Sequence, residues 1–242
     1  MVDRVALVTG GSRGIGAAIA RRLARDGVDV ALTYVNARDQ AEAVAAQVTA
    51  TGRGALTIRA DSSDPTAVVT AVEETVRAFG RLDVLVNNAG IFPAGPLEVV
   101  TLEEVDRTLA IHVRAVFLAS QAAARHMPAG GIISIGSCFA ERVPYPGITL
   151  YAMSKAALTG LTRGLARDLG PRGITAVVVH PGSTDTDLNP ADGPDADVER
   201  TFIPLGRYAS TGEVAEVVAA LAGDAGRYVT GTTVAVDGGF AA

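Results

Sequence analysis

The chain has 242 residues, of which 48% are hydrophobic and 19% charged, a composition that predicts a globular protein with a substantial core. The formal net charge of −5 argues against nucleic acid and anionic membrane surfaces as partners. A single cysteine, Cys138, excludes an intrachain disulfide. No apolar stretch is long enough to span a bilayer and no signal-peptide pattern is visible, so we expect a cytoplasmic protein that does not bind membranes.

Short β-branched runs alternate with amphipathic segments along the chain. The runs predict strands at 5–9, 28–33, 55–59, 84–87, 132–137, 175–180 and 233–236. The amphipathic segments predict helices at 15–26, 38–51, 65–79, 102–126, 151–169 and 212–221. Strict β-α-β alternation predicts a doubly wound parallel sheet with helices on both faces, in a single α/β domain over 1–242.

One segment, 183–206, is rich in Pro, Asp and Gly and has weak periodicity. It follows the end of a predicted strand, where ligands bind in open α/β sheets. A loop of this length is usually a lid or a disordered segment, and we expect a substrate lid.

A Tyr-x-x-x-Lys motif, Tyr151 and Lys155, lies on the fifth predicted helix. The spacing of four puts both side chains on one helical face. A lysine ammonium beside a phenol favours the phenolate and lowers the pKa of the tyrosine, which makes the pair usable as an acid and base. The motif alone is weak, because the same spacing occurs on ordinary solvated helices.

A glycine-rich turn follows the first predicted strand, where Gly10, Gly14 and Gly16 lead into a helix. Glycine lets backbone N–H groups approach a pyrophosphate, and the helix N-terminus adds a partial positive charge. The spacing G-x-x-x-G-x-G differs from the G-x-G-x-x-G fingerprint. We therefore predict a dinucleotide phosphate loop from the strand before the turn and the helix after it.

The end of the second predicted strand lacks the acid that usually holds the ribose 2′-hydroxyl in NAD enzymes. The first carboxylate after it is Asp39, whereas Arg13, Asn36 and Arg38 could hold a 2′-phosphate instead. These residues favour NADP as the cofactor and leave NAD as the alternative. Arg38 alone is equally consistent with an exposed residue at a helix start.

Further motifs follow in order: Asp61-Ser62, Asn87-Asn88-Ala89-Gly90, Ser137, Pro181-Gly182 with Thr186, and Val236-Asp237-Gly238-Gly239. With them the sequence resembles the short-chain dehydrogenase/reductase family over essentially its full length, and is similar to 3-oxoacyl-carrier-protein reductases and related carbonyl reductases. The resemblance implies a seven-stranded Rossmann fold with three αβα layers, and a homotetramer or dimer. The residues expected to bind the cofactor are Gly10, Ser12, Arg13, Gly14, Ile15, Gly16, Asn36, Asp61, Ser62, Asn88, Ala89, Gly90, Tyr151, Lys155, Pro181, Gly182, Thr184 and Thr186.

The resemblance also implies a reaction. Ser137 would polarise a substrate carbonyl, Tyr151 would protonate the developing alkoxide, and Lys155 would lower the tyrosine pKa and bind the nicotinamide ribose. The adenine would lie against Asp61 and the carboxamide against Thr186. We therefore expect an NADPH-dependent carbonyl reductase, or an alcohol dehydrogenase in the reverse direction, without a metal site.

One position departs from the family pattern. The family's fourth catalytic residue is an asparagine that helps to hold a water between the lysine and solvent, and His112 replaces it here. A histidine can donate, accept and titrate near neutrality. Our hypothesis makes His112 a catalytic proton relay that adds a pH dependence at about pH 6–7. Packing alone is the alternative.

The substrate is less well defined. The predicted lid carries six acids that disfavour an acidic carrier protein, namely Asp185, Asp187, Asp192, Asp195, Asp197 and Glu199. A small or medium neutral ketone or its alcohol, with an aromatic group as one option, is therefore favoured over a 3-oxoacyl thioester. The run Asn-Pro-Ala-Asp-Gly-Pro at 189–194 also resembles a bacterial subgroup with cyclic-dinucleotide-binding regulators, so a nucleotide sensor stays as an alternative. Cys138 has no adjacent base in sequence and is expected to be a packed thiol.

Overall fold

A computed structural model describes residues 4–242. The strands in that range are Arg4–Val8 (β1), Val28–Tyr34 (β2), Ala55–Arg59 (β3), Val84–Asn87 (β4), Gly130–Ile135 (β5), Ile174–Pro181 (β6) and Thr232–Val236 (β7). They form one parallel seven-stranded sheet in the order β3-β2-β1-β4-β5-β6-β7. The strand order reverses between β1 and β4, which confirms the doubly wound, Rossmann-type fold predicted from the alternation of elements.

Helices cover both faces of the sheet. They are Gly14–Arg25 (α1), Arg38–Thr49 (α2), Pro65–Phe79 (α3), Leu102–Leu109 (α4), Ala115–His126 (α5), Thr149–Leu169 (α6), Ala196–Thr201 (α7) and Thr211–Ala222 (α8). Helices α1, α2 and α8 share one apolar cluster with alternate strand residues such as Val30 and Leu32. Helices α3, α5 and the end of α6 share a second cluster with the intervening residues such as Ala31. Since successive strand residues point to opposite faces, the two clusters make the three layers. No helix within 4–242 is long and apolar enough to cross a membrane.

Two predicted elements need correction. The helix expected at 102–126 is interrupted, because α4 ends at Leu109 and a π-helical segment, Ala110–Arg114, leads into α5. Such π segments concentrate at functional sites, and this one contains His112. The segment 183–206, expected as a loop, contains the short helix α7 and is tied to the body by a bridge between Thr184 and Ala209.

The carboxyl ends of four neighbouring strands meet at one edge of the sheet. The glycine turn follows β1, the Asn88–Gly90 run follows β4, Ser137 follows β5, and Pro181 ends β6. The predicted site residues from distant parts of the sequence therefore converge at the strand-order reversal and beside it.

Candidate active site

A cleft of about 1070 Å³ opens above this edge of the sheet. The catalytic candidates Ser137, Tyr151 and Lys155 line it. The other predicted cofactor residues that line it are Gly10, Ser12, Arg13, Gly14, Ile15, Gly16, Asn36, Ser62, Asn88, Ala89, Gly90, Pro181, Gly182, Thr184 and Thr186. The structure thus brings nearly all of the predicted residues to one surface.

Two predicted site residues, Asp61 and His112, do not line the cleft, and neither does Asn87 of the Asn87–Gly90 motif. The Asp61 carboxylate accepts from the backbone N–H and the hydroxyl of Ser63, both at 2.8 Å, and these bonds lower its pKa. The amide of buried Asn87 donates to the Ser120 hydroxyl at 3.4 Å. The contact expected between Asp61 and the adenine stays a prediction, with its neighbour Ser62 on the cleft wall.

The glycine turn is shaped for close approach of a ligand. Gly10 and Gly14 have φ angles of +64° and +56°, a region that favours glycine. A Cβ on Gly16 would lie 2.4 Å from both the Asn88 amide nitrogen and the Gly10 oxygen, so no side chain fits there. Helix α1 begins without a side-chain cap at its N-cap residue Arg13, so no N-cap side chain accepts from its first N–H groups. A pyrophosphate fits this combination of bare backbone and helix N-terminus.

Asn88 braces the turn from the neighbouring strand. Its side-chain nitrogen donates to the carbonyl oxygens of Thr9 at 2.9 Å and Gly10 at 3.0 Å. The Thr9 hydroxyl in return accepts from the N–H groups of Asn88 and Ala89. The asparagine therefore fixes the phosphate loop.

The residues proposed for a 2′-phosphate lie at the outer end of the cleft. Arg13 is 62% exposed in its side chain and its guanidinium lies 3.8 Å from the Asp187 carboxylate across the cleft. Arg38 lines the cleft but pairs with Glu42 at 2.7 Å. Asp39 also lines this end. Arg13 and Asn36 remain the better candidates, because Arg38 is held by its carboxylate partner at 2.7 Å, whereas Arg13 lies 3.8 Å from Asp187.

Ser137, Tyr151 and Lys155 form a polar group at the inner end. The Ser137 hydroxyl is close enough to the Tyr151 phenol to lower its pKa, and the Lys155 ammonium lies 5.8 Å from the centre of the tyrosine ring. Lys155 is buried and donates to the Ile135 carbonyl at 2.9 Å. The group has the geometry of an acid–base centre, with a second donor beside the phenol.

The protonation of this centre differs from the sequence-based expectation. Burial raises the pKa of Tyr151 to about 12, although the nearby Ser137 hydroxyl acts in the opposite direction. Burial also lowers the pKa of Lys155 to about 8. The expected lowering of the tyrosine pKa by the lysine is therefore wrong for this structure, because loss of hydration penalises the phenolate more strongly.

His112 joins three elements next to this centre. Its Nε2 atom accepts from the Ile91 N–H at 3.0 Å, and its Nδ1 atom is 2.8 Å from the Ser154 hydroxyl. That hydroxyl donates onward to the Tyr151 carbonyl at 2.7 Å. The ring is therefore neutral with its proton on Nδ1, and the chain of bonds ends on a carbonyl, which cannot pass a proton on.

The expected titration of His112 is also corrected. Burial and the nearby Lys155 ammonium lower the pKa of His112 to about 3. A step near neutral pH is wrong for this residue, because Nε2 can gain a proton only by losing the hydrogen bond from Ile91 and charging a buried ring. His112 does not line the cleft and lies behind it, where a Cβ on Gly90 would be 3.2 Å from its Nε2.

Sequence reasoning missed an aromatic cluster beside Tyr151. Phe92 packs edge-on against Tyr151 with centroids 4.8 Å apart, and Phe139 does so at 6.1 Å. Behind them lie Tyr145, Phe202 and Phe240, joined through ring contacts of 5.5–6.3 Å. Phe92, Phe139 and Phe240 each follow a motif residue within two positions, but nothing in the sequence indicates that their rings meet.

Cys138 belongs to the apolar cluster around these rings and is buried. Burial raises the pKa of its thiol to about 12. The prediction of a packed rather than a nucleophilic cysteine is confirmed.

The fold, the glycine turn and the Ser-Tyr-Lys group define a dinucleotide-binding α/β oxidoreductase. A sequence model described as enoyl-(acyl carrier protein) reductase matches residues 10–241. The chain belongs to the short-chain dehydrogenase/reductase family, as its motifs predicted.

Three similar proteins cover nearly the whole chain. A short-chain dehydrogenase from Burkholderia cenocepacia J2315, solved in complex with NADP, is 58% identical with a TM-score of 0.98, covering 99% of this chain and 98% of that one. A blue fluorescent protein from a metagenomic library, solved with NADPH, is 59% identical with a TM-score of 0.97 and the same coverage. The cyclic-di-GMP-binding biofilm dispersal mediator protein of Escherichia coli K12 is 45% identical over 99% of this chain and 98% of its own length. Both solved structures thus contain the cofactor predicted from this sequence.

Proposed function

We propose that the protein is an NADPH-dependent reductase that converts a ketone to a secondary alcohol, or oxidises the alcohol in reverse. The observation that carries this proposal is the placement of Ser137, Tyr151 and Lys155 in the cleft that begins at the glycine turn. To reduce a carbonyl, the protein must supply a proton donor and a second hydroxyl that donates a hydrogen bond to the same oxygen.

The cofactor would be held along the cleft. The turn between Gly10 and Gly16 would bind the pyrophosphate, and Arg13 with Asn36 would bind the 2′-phosphate. Lys155 and Thr186 would face the nicotinamide end. NADPH supplies a hydride when bound. The two NADP(H)-bound relatives support this choice of cofactor.

The protein's own contribution is proton chemistry at the substrate oxygen. A pKa of about 12 keeps the Tyr151 phenol protonated at neutral pH, as a proton donor in reduction must be. Ser137 would donate a hydrogen bond to the carbonyl oxygen as negative charge develops there. The carbonyl carbon would gain the hydride and its oxygen would gain the phenolic proton. The resulting phenolate would have the Lys155 ammonium near its ring until solvent returned a proton.

His112 acts in this proposal as a brace. Its two ring nitrogens connect the loop after β4, through Ile91, with α6, through Ser154. Ser154 directly precedes Lys155, so the brace holds the lysine relative to the cleft. This role needs hydrogen bonds from both sides of the ring and no titration.

The preferred substrate would be a neutral ketone with an aromatic group. Phe92 and Phe139 line the cleft against Tyr151, and Phe92 is 37% exposed, so a ring can contact it. Aromatic pairs contribute about 0.5–1.5 kcal/mol beyond their buried area. An anionic thioester on an acidic carrier is less favoured, because Asp187, Asp195 and Glu199 line the lid side of the cleft.

A nucleotide regulator is the second candidate, favoured by the 45% identity to the E. coli cyclic-di-GMP-binding protein. The same lid carboxylates oppose it, since they would repel a second phosphodiester. The intact Ser137, Tyr151 and Lys155 also oppose it, because binding alone does not require them.

The test is oxidation of NADPH and of NADH with matched aryl and aliphatic ketones and a 3-oxoacyl thioester, alongside calorimetric titration with cyclic di-GMP. We expect turnover with NADPH and an aryl ketone, absent in Tyr151→Phe. NADPH binding without turnover on any carbonyl, together with tight cyclic di-GMP binding, would replace the reductase by the sensor.

A further inference from the structure

His180 is a buried polar residue near the end of the apolar strand β6. Its side chain is 1% exposed and does not line the cleft. Its Nδ1 atom lies 2.9 Å from the backbone nitrogen of Ser137, whose N–H donates to it. The ring therefore reaches the reaction centre through the backbone of the serine.

The turn that carries Ser137 is built around this ring. Backbone pairing continues to Gly136, whose N–H donates to the Val179 carbonyl at 2.7 Å. The next N–H, that of Ser137, donates to Nδ1 of the imidazole instead of to a backbone carbonyl. A Cβ on Gly136 would lie 2.2 Å from Nδ1, so glycine at 136 is what admits the ring beneath the turn.

The bond to Nδ1 determines which ring nitrogen of His180 carries the proton. Because Nδ1 accepts, the neutral ring carries its proton on Nε2, which lies 3.7 Å from a Glu141 carboxylate oxygen and has no hydrogen-bond partner among residues 4–242. Burial lowers the pKa of His180, with Glu141 and Asp237 acting in the opposite direction and Lys155 in the same one. The acceptor role of Nδ1 is thus retained at neutral pH.

We propose that His180 is a positioning residue that sets the orientation of the Ser137 hydroxyl. This inference rests on the proposed function of Ser137 as a donor to the substrate carbonyl. The Ser137 oxygen already accepts from the Phe139 N–H at 3.2 Å, so its direction depends on the path of the backbone between 136 and 139. Without an acceptor at Nδ1, a buried N–H loses its partner and the turn must rotate to find another.

Two variants distinguish the effect of the hydrogen-bond acceptor at Nδ1 from the effect of the volume of the ring. In His180→Asn the side-chain oxygen can occupy the place of Nδ1, whereas His180→Leu keeps a side chain of similar reach without an acceptor. We expect kcat of His180→Leu to fall by about 10- to 100-fold, the range that small misplacements of a reacting group produce. His180→Asn should stay within about threefold of the parent, and KM for NADPH should not move in either.

The decisive comparison adds each variant to Ser137→Ala. A residue that acts through Ser137 has nothing left to position in that background, so His180→Leu should then cost less than about twofold. An equal loss of kcat in both backgrounds, or a His180→Asn variant as poor as His180→Leu while both remain folded, would overturn the proposal.

Amide hydrogen exchange at Ser137 gives a readout that is independent of turnover. We expect a protected Ser137 N–H in the parent and in His180→Asn and faster exchange in His180→Leu. Absence of turnover in the parent with this exchange pattern would count against the reductase function and not against the positioning role. Equal protection of Ser137 in all three proteins would overturn the positioning role itself.

Discussion

The two ends of the cleft are built by different means. At the outer end, glycine backbone and the N-terminus of α1 form the surface, and Asn88 holds it through bonds to carbonyl oxygens. At the inner end, aromatic rings surround Tyr151, brought from separate loops, α6 and the C-terminal segment. A backbone surface accepts any dinucleotide phosphate, whereas a side-chain surface selects among substrates. The surface proposed to bind the cofactor and the surface proposed to select the substrate are thus spatially separate.

The largest expected effect comes from the acid itself. Tyr151→Phe removes the phenolic proton while keeping the ring packed against Phe92, so kcat should fall by about 10²–10⁴-fold. The affinity for NADPH, measured by fluorescence titration, should change little, because the outer end is untouched. Tyr228→Phe, at a fully exposed tyrosine away from the cleft, is the control and should behave as the parent. Residual activity above a tenth of the parent in Tyr151→Phe would remove the tyrosine from its role.

At the outer end, Arg13→Ala should weaken the binding of NADPH but not that of NADH. Charge-assisted hydrogen bonds contribute about 1.5–3 kcal/mol, so KM for NADPH should rise by about 10- to 100-fold while KM for NADH stays constant. Arg25→Ala at the far end of α1 is the matched control. A parallel rise for both cofactors would show that Arg13 does not contact the 2′-phosphate.

At the inner end, Phe92→Leu should act on the substrate alone. The loss of one edge-on ring contact predicts a fall in kcat/KM for aryl ketones of about 2- to 10-fold, with aliphatic ketones nearly unaffected. Phe117→Leu, on an exposed position of α5, controls for general effects. Equal losses for both ketone classes would mean that the ring shapes the cleft without recognising the substrate.

The last prediction concerns stability rather than activity, and it rests on His112, which lies behind the inner end. The unfolded chain binds a proton at this residue below about pH 6.5, while the folded protein does so only near a pKa of about 3. Acid therefore favours the unfolded state, and the free energy of unfolding should fall below pH 6.5 by up to about 1.4 kcal/mol per pH unit. Urea unfolding of the parent and His112→Asn at pH 7.5 and pH 5 measures the difference; parallel losses would contradict the buried, neutral ring.

The outer end could be predicted from the sequence because its parts are local. Gly10, Gly14 and Gly16 stand together after a strand, and their effect on backbone conformation does not depend on the rest of the fold. The alternation of strands and helices likewise predicted the sheet. The Tyr151–Lys155 spacing located the acid, but its pKa depends on burial, which spacing does not report.

The inner end could not be predicted, because its parts are distant in sequence. Phe92, Phe139 and Phe240 lie far apart in sequence, and only the fold brings their rings into contact. His180 resembled any residue at the end of a strand, because its bond to Ser137 depends on the neighbouring strand. The π-helical turn at His112 also has no simple periodic signature in the sequence.

The most direct test of the central claim follows the hydride. NADPH deuterated at the nicotinamide C4 position is incubated with an aryl alkyl ketone, and the alcohol product is examined by mass spectrometry. The proposed function predicts one deuterium on the carbinol carbon, from one face of the nicotinamide, and none with Tyr151→Phe over the same time. Bound but unoxidised NADPH, with no labelled alcohol from any ketone tested, would contradict it.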